Sequence, residues 1–386
     1  MKWRTMPLDA VKAAVPYAFV GGPFGSNLTT RDYVDEGVPV IRGNNLPTDA
    51  SFRDDDFAFV SEKKADELRS NTAFPGDLVF TQRGTLGQVG MIPREARFQR
   101  YIISQSQMKL TVDPEVADVR FVYYFFRLPS TVQKVINHAL TSGVPHINLG
   151  ILKEFKIALP EINCQQCIAD ILSAYDDLIE NNRRRMALLE QAARELYREW
   201  FVRLRFPGHE HTRVTNGVPE GWDRVPLGDR VTLNYGKALK AEDRSDGPCP
   251  VYGSSGIVGM HEKALVAAPG IVVGRKGNVG SVYWCPKDYW PIDTVYFIDA
   301  ETSNLWLYYA LQYMHFISTD VAVPGLNRDF AYSRPLLVPE SRIVRDFLET
   351  AGPLCEQIAK LDEMSQKLCT ARNLLLPRLM SGEIAV

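Results

Sequence analysis

Two long stretches of the chain carry apolar residues at spacings that alternate between four and three. They cover residues 161–204 and residues 340–376. This average spacing of 3.5 is typical of a coiled coil, so each stretch predicts one long helix with an apolar seam. Polar residues interrupt the seam at Asn182, Ser365 and Arg372. The predicted seam residues are Ile168, Leu172, Ile179, Met186, Leu189, Leu196, Leu354, Ile358, Leu361, Leu368 and Leu375.

Both predicted helices are too long to bury their seams inside one small domain. At 1.5 Å per residue they would extend roughly 65 Å and 55 Å, with Pro377 ending the second helix. We therefore expect the two helices to pair with each other. An antiparallel pairing is expected because each helix follows a similar segment of chain. Two separate coiled coils that bind different partners are the alternative.

The segments that precede the helices repeat each other in the same order. Trp-x-x-x-Pro-Leu occurs at residues 3–8 and 222–227, and Arg83-Gly84-Thr85-Leu86-Gly87 corresponds to Lys276-Gly277-Asn278-Val279-Gly280. Val144-Pro145-His-Ile-Asn148 likewise corresponds to Val323-Pro324-Gly-Leu-Asn327. The second copy is shorter, so the copies share a framework and differ in their loops, which implies two different ligands.

This repetition predicts five segments. The first block is residues 1–160, the first long helix 161–204, a turn-rich linker 205–221, the second block 222–339, and the second long helix with a C-terminal tail 340–386. Strand-like runs inside the blocks are residues 78–82, 89–92, 108–112, 271–273 and 295–298, and shorter helices are expected at 118–139 and 304–318. The predicted fold class is α+β, with two pseudo-symmetric β-rich blocks separated by two long antiparallel coiled-coil helices.

The repeated Arg83-Gly84-Thr85-Leu86-Gly87 element places a cation and a small polar side chain beside glycines at a predicted turn. Such a turn can approach a groove or a phosphate closely. A hairpin that needs glycine at positive φ, with a merely solvated arginine, explains the same pattern. Recurrence of the cation as Lys276 favours the functional interpretation. The segment Gly21–Asn27 is another turn-like cluster.

Further candidate contacts come from arginine and asparagine, which bond to base edges, and from serine and tyrosine, which contact phosphates. Such clusters are also common in ordinary loops. The complete set of candidate DNA-binding residues is Arg42, Asn44, Asn45, Arg83, Thr85, Asn148, Tyr252, Ser254, Ser255, Arg275, Lys276, Asn278, Asn327 and Arg328.

Familiar enzyme motifs are missing from the sequence. It contains no phosphate-binding loop, dinucleotide-binding fingerprint, adenine methyltransferase tetrapeptide, Gly-x-Ser-x-Gly or His-Glu-x-x-His. A dispersed nuclease carboxylate cluster stays open. Cys164 and Cys167 lack a nearby second pair of ligands, so no metal site is predicted. No catalytic residue is assigned.

The composition limits the mode of binding and the location. With 44 Lys and Arg against 46 Asp and Glu, the net charge of -2 excludes a polybasic tail but not a local basic groove. The six cysteines are expected to be reduced thiols. The sequence offers neither a signal peptide nor a long apolar span, so a cytoplasmic protein is expected.

The whole chain resembles the specificity subunit of type I restriction-modification systems. The resemblance rests on the duplicated plan and on Phe74-Pro-Gly-Asp-Leu-Val-Phe80, Val251-Tyr-Gly-Ser-Ser-Gly-Ile-Val-Gly259, the stretch 269–281 and the tail Leu376-Pro-Arg-Leu-Met-Ser-Gly382. It implies that each block is a target-recognition domain for one half of a bipartite, asymmetric DNA site. The paired helices would then set the spacer and dock the methyltransferase subunits.

The same resemblance implies partners and excludes catalysis by this chain. Two modification subunits would use S-adenosylmethionine to methylate adenine, and restriction subunits that use ATP and Mg²⁺ would join some assemblies. No cofactor is expected on this chain, and no membrane partner. The alternatives are a non-catalytic protein-interaction adaptor built on the coiled coil, and an enzyme, either a cryptic nuclease or a methyltransferase fragment.

Overall fold

The computed structural model describes residues 3–139, 145–314, 316 and 325–386. By contacts between residues, the chain divides into two units. Unit 1 is Met1–Asn182 with Met364–Val386, and unit 2 is Arg183–Glu363. The division falls inside both long helices, so each unit contains one block and one half of each helix. The five-segment organisation given above stays a prediction.

The first block contains short strands and four helices, and the first long helix follows it. The strands are β1 (Arg4–Pro7), β2 (Phe19–Gly21), β3 (Tyr33–Val34), β4 (Val38–Ile41), β5 (Ala58–Val60), β6 (Thr72–Ala73), β7 (Leu78–Thr81), β8 (Val89–Met91), β9 (Tyr101–Ile103), β10 (Gln107–Leu110) and β11 (Lys156–Leu159). The helices are α1 (Glu62–Glu67), α2 (Val119–Arg127), α3 (Pro129–Asn137), α4 (Leu149–Glu154) and the long α5 (Ile162–Tyr197).

The second block follows a hairpin and precedes the second long helix. Its strands, with the hairpin first, are β12 (Val214–Thr215), β13 (Val218–Pro219), β14 (Asp223–Pro226), β15 (Asn234–Tyr235), β16 (Cys249–Gly253), β17 (Gly256–His261), β18 (Gly270–Gly274), β19 (Val282–Cys285), β20 (Trp290–Pro291), β21 (Val295–Ile298) and β22 (Pro335–Val338). The helices are α6 (Leu305–Gln312), α7 (Arg328–Tyr332) and the long α8 (Ser341–Met380).

The two blocks share one topology, which confirms the duplication. The first has an antiparallel sheet in the order β2-β10-β7-β8, and the second has β15-β21-β18-β19. A parallel pair stands beside each sheet, β4 with β9 and β16 with β20. The first and last strands of each block also pair, Arg4 opposite Leu159 and Asp223 opposite Val338. The blocks differ around the parallel pair, which belongs to a five-stranded sheet in the first block and a three-stranded sheet in the second.

The five predicted strands are all present, but two helix predictions need correction. The helix expected at 118–139 is divided into α2 and α3, because Pro129 forces Leu128 into an extended conformation and then begins the new helix. The helix expected at 304–318 is α6, which ends at Gln312. Residues 315, 317 and 318 of that prediction lie outside the described residues, as do Val144 and Val323-Pro324 of the repeat.

Each unit has its own main hydrophobic core, built from a block and from parts of both long helices. In unit 1, Ile168 and Leu172 of α5 pack with Leu376, Leu379 and the strands and helices of the first block. In unit 2, the residues that pack with the second block are Ala193, Tyr197, Phe347 and Ala351.

The long helices run antiparallel in each unit. In unit 1, Asn182 Nδ2 donates to Ser365 Oγ at 3.3 Å, and Arg372 pairs with Asp176. An earlier residue of α5 therefore lies opposite a later residue of α8, as in an antiparallel pair. Helix α8 continues through Pro377, although an end was expected there. Leu376, Leu379 and Met380 are all buried, and burying them offsets the hydrogen bond lost at the proline.

The predicted seam follows the covered side of both helices. Ile168, Leu172, Ile179 and Leu361 are buried, and the other seven seam residues are half-buried. The polar interruptions are also covered, since Asn182 and Ser365 are buried and the Arg372 side chain is 11% exposed. The sequence pattern therefore coincides with the face on which each helix packs.

Candidate nucleic-acid interface

Loops from five separate parts of the first block meet where β2, β4 and β7 end. The Ser104 amide donates to the Ile41 carbonyl at 3.0 Å, which joins the ends of the parallel strands β9 and β4. The amides of Gln82 and Arg83 both donate to the Ser106 carbonyl, at 2.7 and 3.3 Å. We call this surface the first edge and define it as residues 22–28, 42–45, 82–88, 104–106 and 145–148.

An equivalent surface is present in the second block and is held by the same backbone bonds. The Ile292 amide donates to the Tyr252 carbonyl at 2.9 Å, and the amides of Arg275 and Lys276 donate to the Thr294 carbonyl at 2.9 and 3.0 Å. We call this surface the second edge, residues 235–237, 254–256, 275–281, 292–294 and 325–328. Every candidate residue from the sequence lies at or directly beside one of the two edges.

The repeated glycine-rich element forms a tight turn in both blocks. Gly84, Gly87, Gly277 and Gly280 have φ between 76° and 99°, a backbone conformation that favours glycine. A Cβ on Gly87 would lie 2.8 Å from the side chain of Val132. The hairpin explanation therefore accounts for the glycines.

The polar side chains of these turns are free to contact a ligand, whereas Leu86 and Val279 pack against the cores. Arg83, Thr85, Lys276 and Asn278 are all exposed. Their backbone is fixed, since an isolated β-bridge joins Arg83 to His146 and another joins Lys276 to Gly325. Each edge thus presents one cation and one small polar side chain at equivalent positions.

The recurring asparagines after the repeated Val-Pro have a structural role. Asn148 Oδ1 accepts from the Ile151 amide at 2.9 Å and begins α4. Asn327 Oδ1 accepts from the amides of Asp329 and Phe330 and begins α7. Helix capping explains why this residue type recurs, and DNA contact by either asparagine stays a prediction.

The side chains of the Arg42-Gly43-Asn44-Asn45 turn are largely engaged in hydrogen bonds with other residues of the first block. Arg42 Nη2 donates to the Asp56 carbonyl at 2.9 Å, and Asn44 Nδ2 donates to the Asp56 carboxylate at 2.7 Å. Asn45 requires a correction, because it is completely buried. Its Oδ1 accepts from the Arg42 amide and its Nδ2 donates to the carbonyls of Arg53 and Asp55, so it stabilises the turn and does not face DNA.

Two arginines of the second edge contact the same aromatic ring. The guanidinium carbons of Arg275 and Arg328 are each 5.4 Å from the ring centre of Tyr235, which is 54% exposed. Arg275 Nη2 also donates to the Asp293 carbonyl at 2.6 Å. Cation–π contacts of this kind orient guanidinium groups near the surface.

The remaining candidates of the second edge divide into surface and core. Ser255 is exposed, and half-buried Ser254 receives hydrogen bonds from Ser281 Oγ at 2.6 Å and the Tyr283 hydroxyl at 3.2 Å. Tyr252 requires a correction, because it is 6% exposed and packs in a buried cluster with Val272, Cys285 and Tyr289. Burial and the nearby thiol raise the pKa of Tyr252, which remains a neutral residue of the core.

Sequence reasoning missed Phe24 and Tyr235, two exposed aromatic residues of the edges. The sequence shows Gly21–Asn27 as a turn-like cluster, but none of its residues is among the candidates. The missed signal was a phenylalanine between glycine, proline and serine, where no neighbouring apolar residue could cover it.

The described residues carry few signs of other chemistry. In the described ranges, no group of three or more His, Cys, Asp and Glu is placed to hold a metal ion. Likewise, none of the helices that the structure describes is long and apolar enough to span a membrane. All six cysteines are free thiols.

Two blocks of one topology, each with an equivalent polar edge, define a duplicated recognition protein. The family model for the type I restriction modification DNA specificity domain matches residues 27–191 and 219–330. The chain belongs to this family of type I restriction-modification DNA specificity proteins. The second match contains the whole second edge, and the first contains the first edge from residue 27 onward. The two blocks are therefore its two recognition domains, and the resemblance found in the sequence is confirmed.

Individual relatives support the same assignment. The type I restriction enzyme MjaIX specificity subunit of Methanocaldococcus jannaschii is 22% identical over 361 residues, which span 85% of this chain and 82% of that protein. The HindI specificity subunit of Haemophilus influenzae is 27% identical over 104 residues, 26% of this chain and 23% of that protein. The crystal structure of the type I S subunit from M. genitalium has the same fold, with a TM-score of 0.60 at 17% identity, covering 98% of this chain and 96% of that one.

Proposed function

We propose that each block reads one half of a bipartite, asymmetric DNA site through its edge, and that the long helices set the spacer between the halves. One observation carries this proposal. The same backbone frame appears at both edges but presents different side chains, Arg83 and Thr85 in one block and Lys276 and Asn278 in the other. A repeated frame with changed side chains suits two readers of different sequences.

The chemistry of the edges fits a DNA duplex. Arginine forms paired hydrogen bonds with guanine, and lysine, serine and threonine contact phosphates. Only a few cations are available at each edge, and the net charge of the chain is -2. Binding by the chain alone is therefore expected to be weak, because few phosphates are neutralised, and to weaken further as the salt concentration rises.

The long helices are proposed to dock two modification subunits. In unit 1, Leu178 of α5 and Leu374 of α8 are 46% and 66% exposed, and both lie off the predicted seam. Apolar side chains on this outer surface suit contact with another protein. The chain itself is assigned no catalysis and no cofactor. S-adenosylmethionine, and in assemblies with restriction subunits ATP and Mg²⁺, would be used by the partners in the cytoplasm.

Methylome sequencing tests this function directly. The chain would be expressed with and without the methyltransferase encoded beside it, in a host that lacks its own DNA methylation. We expect methyladenine at one split, asymmetric motif only when both proteins are present. A motif made by the methyltransferase alone would contradict a specificity role. Absence of any motif from a folded, associated pair would favour the adaptor interpretation.

A further inference from the structure

Phe24 is exposed in a way that the fold does not explain. Its side chain is 89% exposed, more than any other large apolar residue that the structure describes. The neighbours in the loop, Pro23, Gly25, Ser26 and Asn27, offer no apolar cover. A phenylalanine held in water is unfavourable, which suggests that a partner covers this ring.

The loop that carries Phe24 is anchored at both ends. Gln105 Nε2 donates to the carbonyls of Gly25 and Leu28, each at 2.6 Å. Gly22 packs so closely that a Cβ there would lie 2.0 Å from the Ser104 carbonyl oxygen. Gly25 has φ of 59°, so the chain reverses direction directly after Phe24. The aromatic ring is therefore presented at a defined place.

That place is the first edge. Strand β10 lies between β2 and β7. Both neighbours run antiparallel to β10 and finish at the same end of it. The loop that follows β2 carries Phe24, and the turn that follows β7 carries Arg83 and Thr85. Residues 22–28 include no acidic side chain. Phe24 thus shares an edge of the sheet with the cation of Arg83 and the hydroxyl of Thr85, on the surface proposed to bind DNA.

We propose that Phe24 is a wedge that inserts between base pairs of the half-site read by the first block. The inference rests on the proposed function and deepens it. Apolar side chains that enter a base step partly unstack it and bend the duplex. A protein partner would require a contiguous apolar patch. The loop instead offers a single ring surrounded by small and polar residues, which suits a wedge.

The second block has no wedge at the equivalent position. Strand β15 is followed by Gly236 and Lys237, and Tyr235 is engaged by Arg275 and Arg328. Only the half-site read by the first block is therefore distorted by a wedge of this kind. This asymmetry makes the proposal distinct from general DNA binding.

The test uses the complex of the full chain with its modification subunits. The probe is a duplex that carries the methylome-defined motif, with 2-aminopurine placed at successive positions through both half-sites. For the unmodified chain we expect fluorescence to rise several-fold at one step in one half-site. Phe24→Ala should abolish this rise and weaken binding roughly tenfold, as loss of an aromatic–base contact does elsewhere. Phe24→Trp should retain both properties.

Phe74→Ala is the matched control. Phe74 is a 50% exposed phenylalanine of the same block, but it lies before the start of β7, at the opposite end of the strand from Arg83. This variant should behave like the unmodified complex. Gln105→Ala, which releases the loop but keeps Phe24, should give a partial loss.

Each failure has its own signature. Equal fluorescence and affinity for Phe24→Ala and the unmodified complex would overturn the wedge and leave the proposed function standing. Weakened assembly of Phe24→Ala with the modification subunits in the absence of DNA would overturn it in favour of a protein contact. Failure of the unmodified complex to bind the duplex would reject the proposed function and the wedge together.

Discussion

Arg83 and Lys276 occupy equivalent backbone positions, yet they differ in what they can recognise. The guanidinium of arginine can form two parallel hydrogen bonds with one guanine, whereas the ammonium of lysine acts as a compact charge. Their neighbours Thr85 and Asn278 differ in the same sense, since a hydroxyl and an amide offer different donors and acceptors. Small changes on a constant frame are sufficient to give two blocks different preferences.

Replacement of these cations should affect one half-site each. Arg83→Ala is expected to weaken binding of the assembled complex by about 1–3 kcal/mol through the first half-site. Lys276→Ala should reduce the slope of log affinity against log salt concentration by about one. Fluorescence anisotropy at several salt concentrations, with duplexes in which one half-site is scrambled, measures both effects. Lys12→Ala, at the opposite end of the first sheet, is the control. Equal losses on both half-sites would contradict separate reading.

Replacement of Tyr252 should affect stability and not DNA binding, because this residue lies in the core. Tyr252→Phe removes only a buried hydroxyl and keeps the ring in the core, so it should change the free energy of unfolding by no more than about 1 kcal/mol. DNA affinity and the methylated motif should remain unchanged. Urea unfolding and anisotropy measure the two quantities. A large loss of affinity in a stably folded variant would return Tyr252 to the interface.

Residue type alone could locate the edges but could not assign every residue. Arg83 and Lys276 were recognisable because the glycines around them recur. Asn45 and Tyr252 also belong to polar segments that contain glycine, like the exposed candidates. Their burial depends on distant segments of the chain, namely Arg53 and Asp55 for the asparagine and Cys285 for the tyrosine. Phe24 was overlooked because an apolar residue is ordinarily assigned to the core.

At the scale of elements, the polar residues that interrupt the coiled-coil seam are paired with each other or with a neighbour. Asn182 bonds to Ser365, and Arg372 pairs with Asp176, which also accepts from the Tyr124 hydroxyl at 2.7 Å. Burial and the nearby Asp176 raise the pKa of Tyr124, so it remains a neutral donor. Such pairs can form in only one alignment, so they fix the register of the helices in unit 1.

Breaking the charged pair from one side should therefore destabilise unit 1. Arg372→Met leaves the Asp176 carboxylate without its cation and is expected to cost roughly 3 kcal/mol. The double variant with Asp176→Leu removes both charges but leaves the Tyr124 hydroxyl without its acceptor, so it should recover only part of that loss. Urea unfolding followed by circular dichroism compares the two. A double variant less stable than the single one would contradict this account of the pair.

The long helices were predictable in existence and in seam, but not at their ends. Their periodicity extends over many turns, whereas an end depends on local competition. Pro377 would stop an isolated helix, but the burial of Leu379 and Met380 beyond it keeps α8 helical. At Pro129 the competition has the other outcome, and α2 and α3 separate. Tertiary burial decides between these two cases, and the sequence does not display it locally.

For the whole molecule, duplication with divergence is the central feature. Both blocks keep the four-stranded sheet, the parallel pair and the joined first and last strands. They differ in the strands added to the parallel pair, three in the first block and one in the second. The shared parts hold the edges, and the variable parts surround them, as expected of two domains that recognise different sequences.

The proposed spacer function predicts the effect of lengthening both helices together. Insertions have to be made at matching levels of the two helices. In unit 2 the rings of Tyr197 and Phe347 are 6.0 Å apart, which places Glu190 of α5 near the level of Cys355 of the antiparallel α8. Four residues added after each should extend the helices by about 6 Å, nearly two base pairs. Methylome sequencing should show a longer spacer between unchanged half-sites.

A matched control and two contrary results define that experiment. Four residues added to the linker at 205–221 should leave the spacer unchanged, because the linker is outside both helices. An unchanged spacer after the paired insertion would contradict the spacer role of the helices. Altered bases in either half-site would contradict the separation of spacing from reading.

The most direct test of the central claim is an exchange of the first block. Residues 3–160 would be replaced by the corresponding block of a family member with a known motif, and the methylome would be sequenced in the presence of the modification subunits. We expect one half-site to change to that of the donor, while the other half-site stays as it was. A change in both half-sites, or in neither, from a complex that still methylates DNA would contradict independent reading by the two blocks.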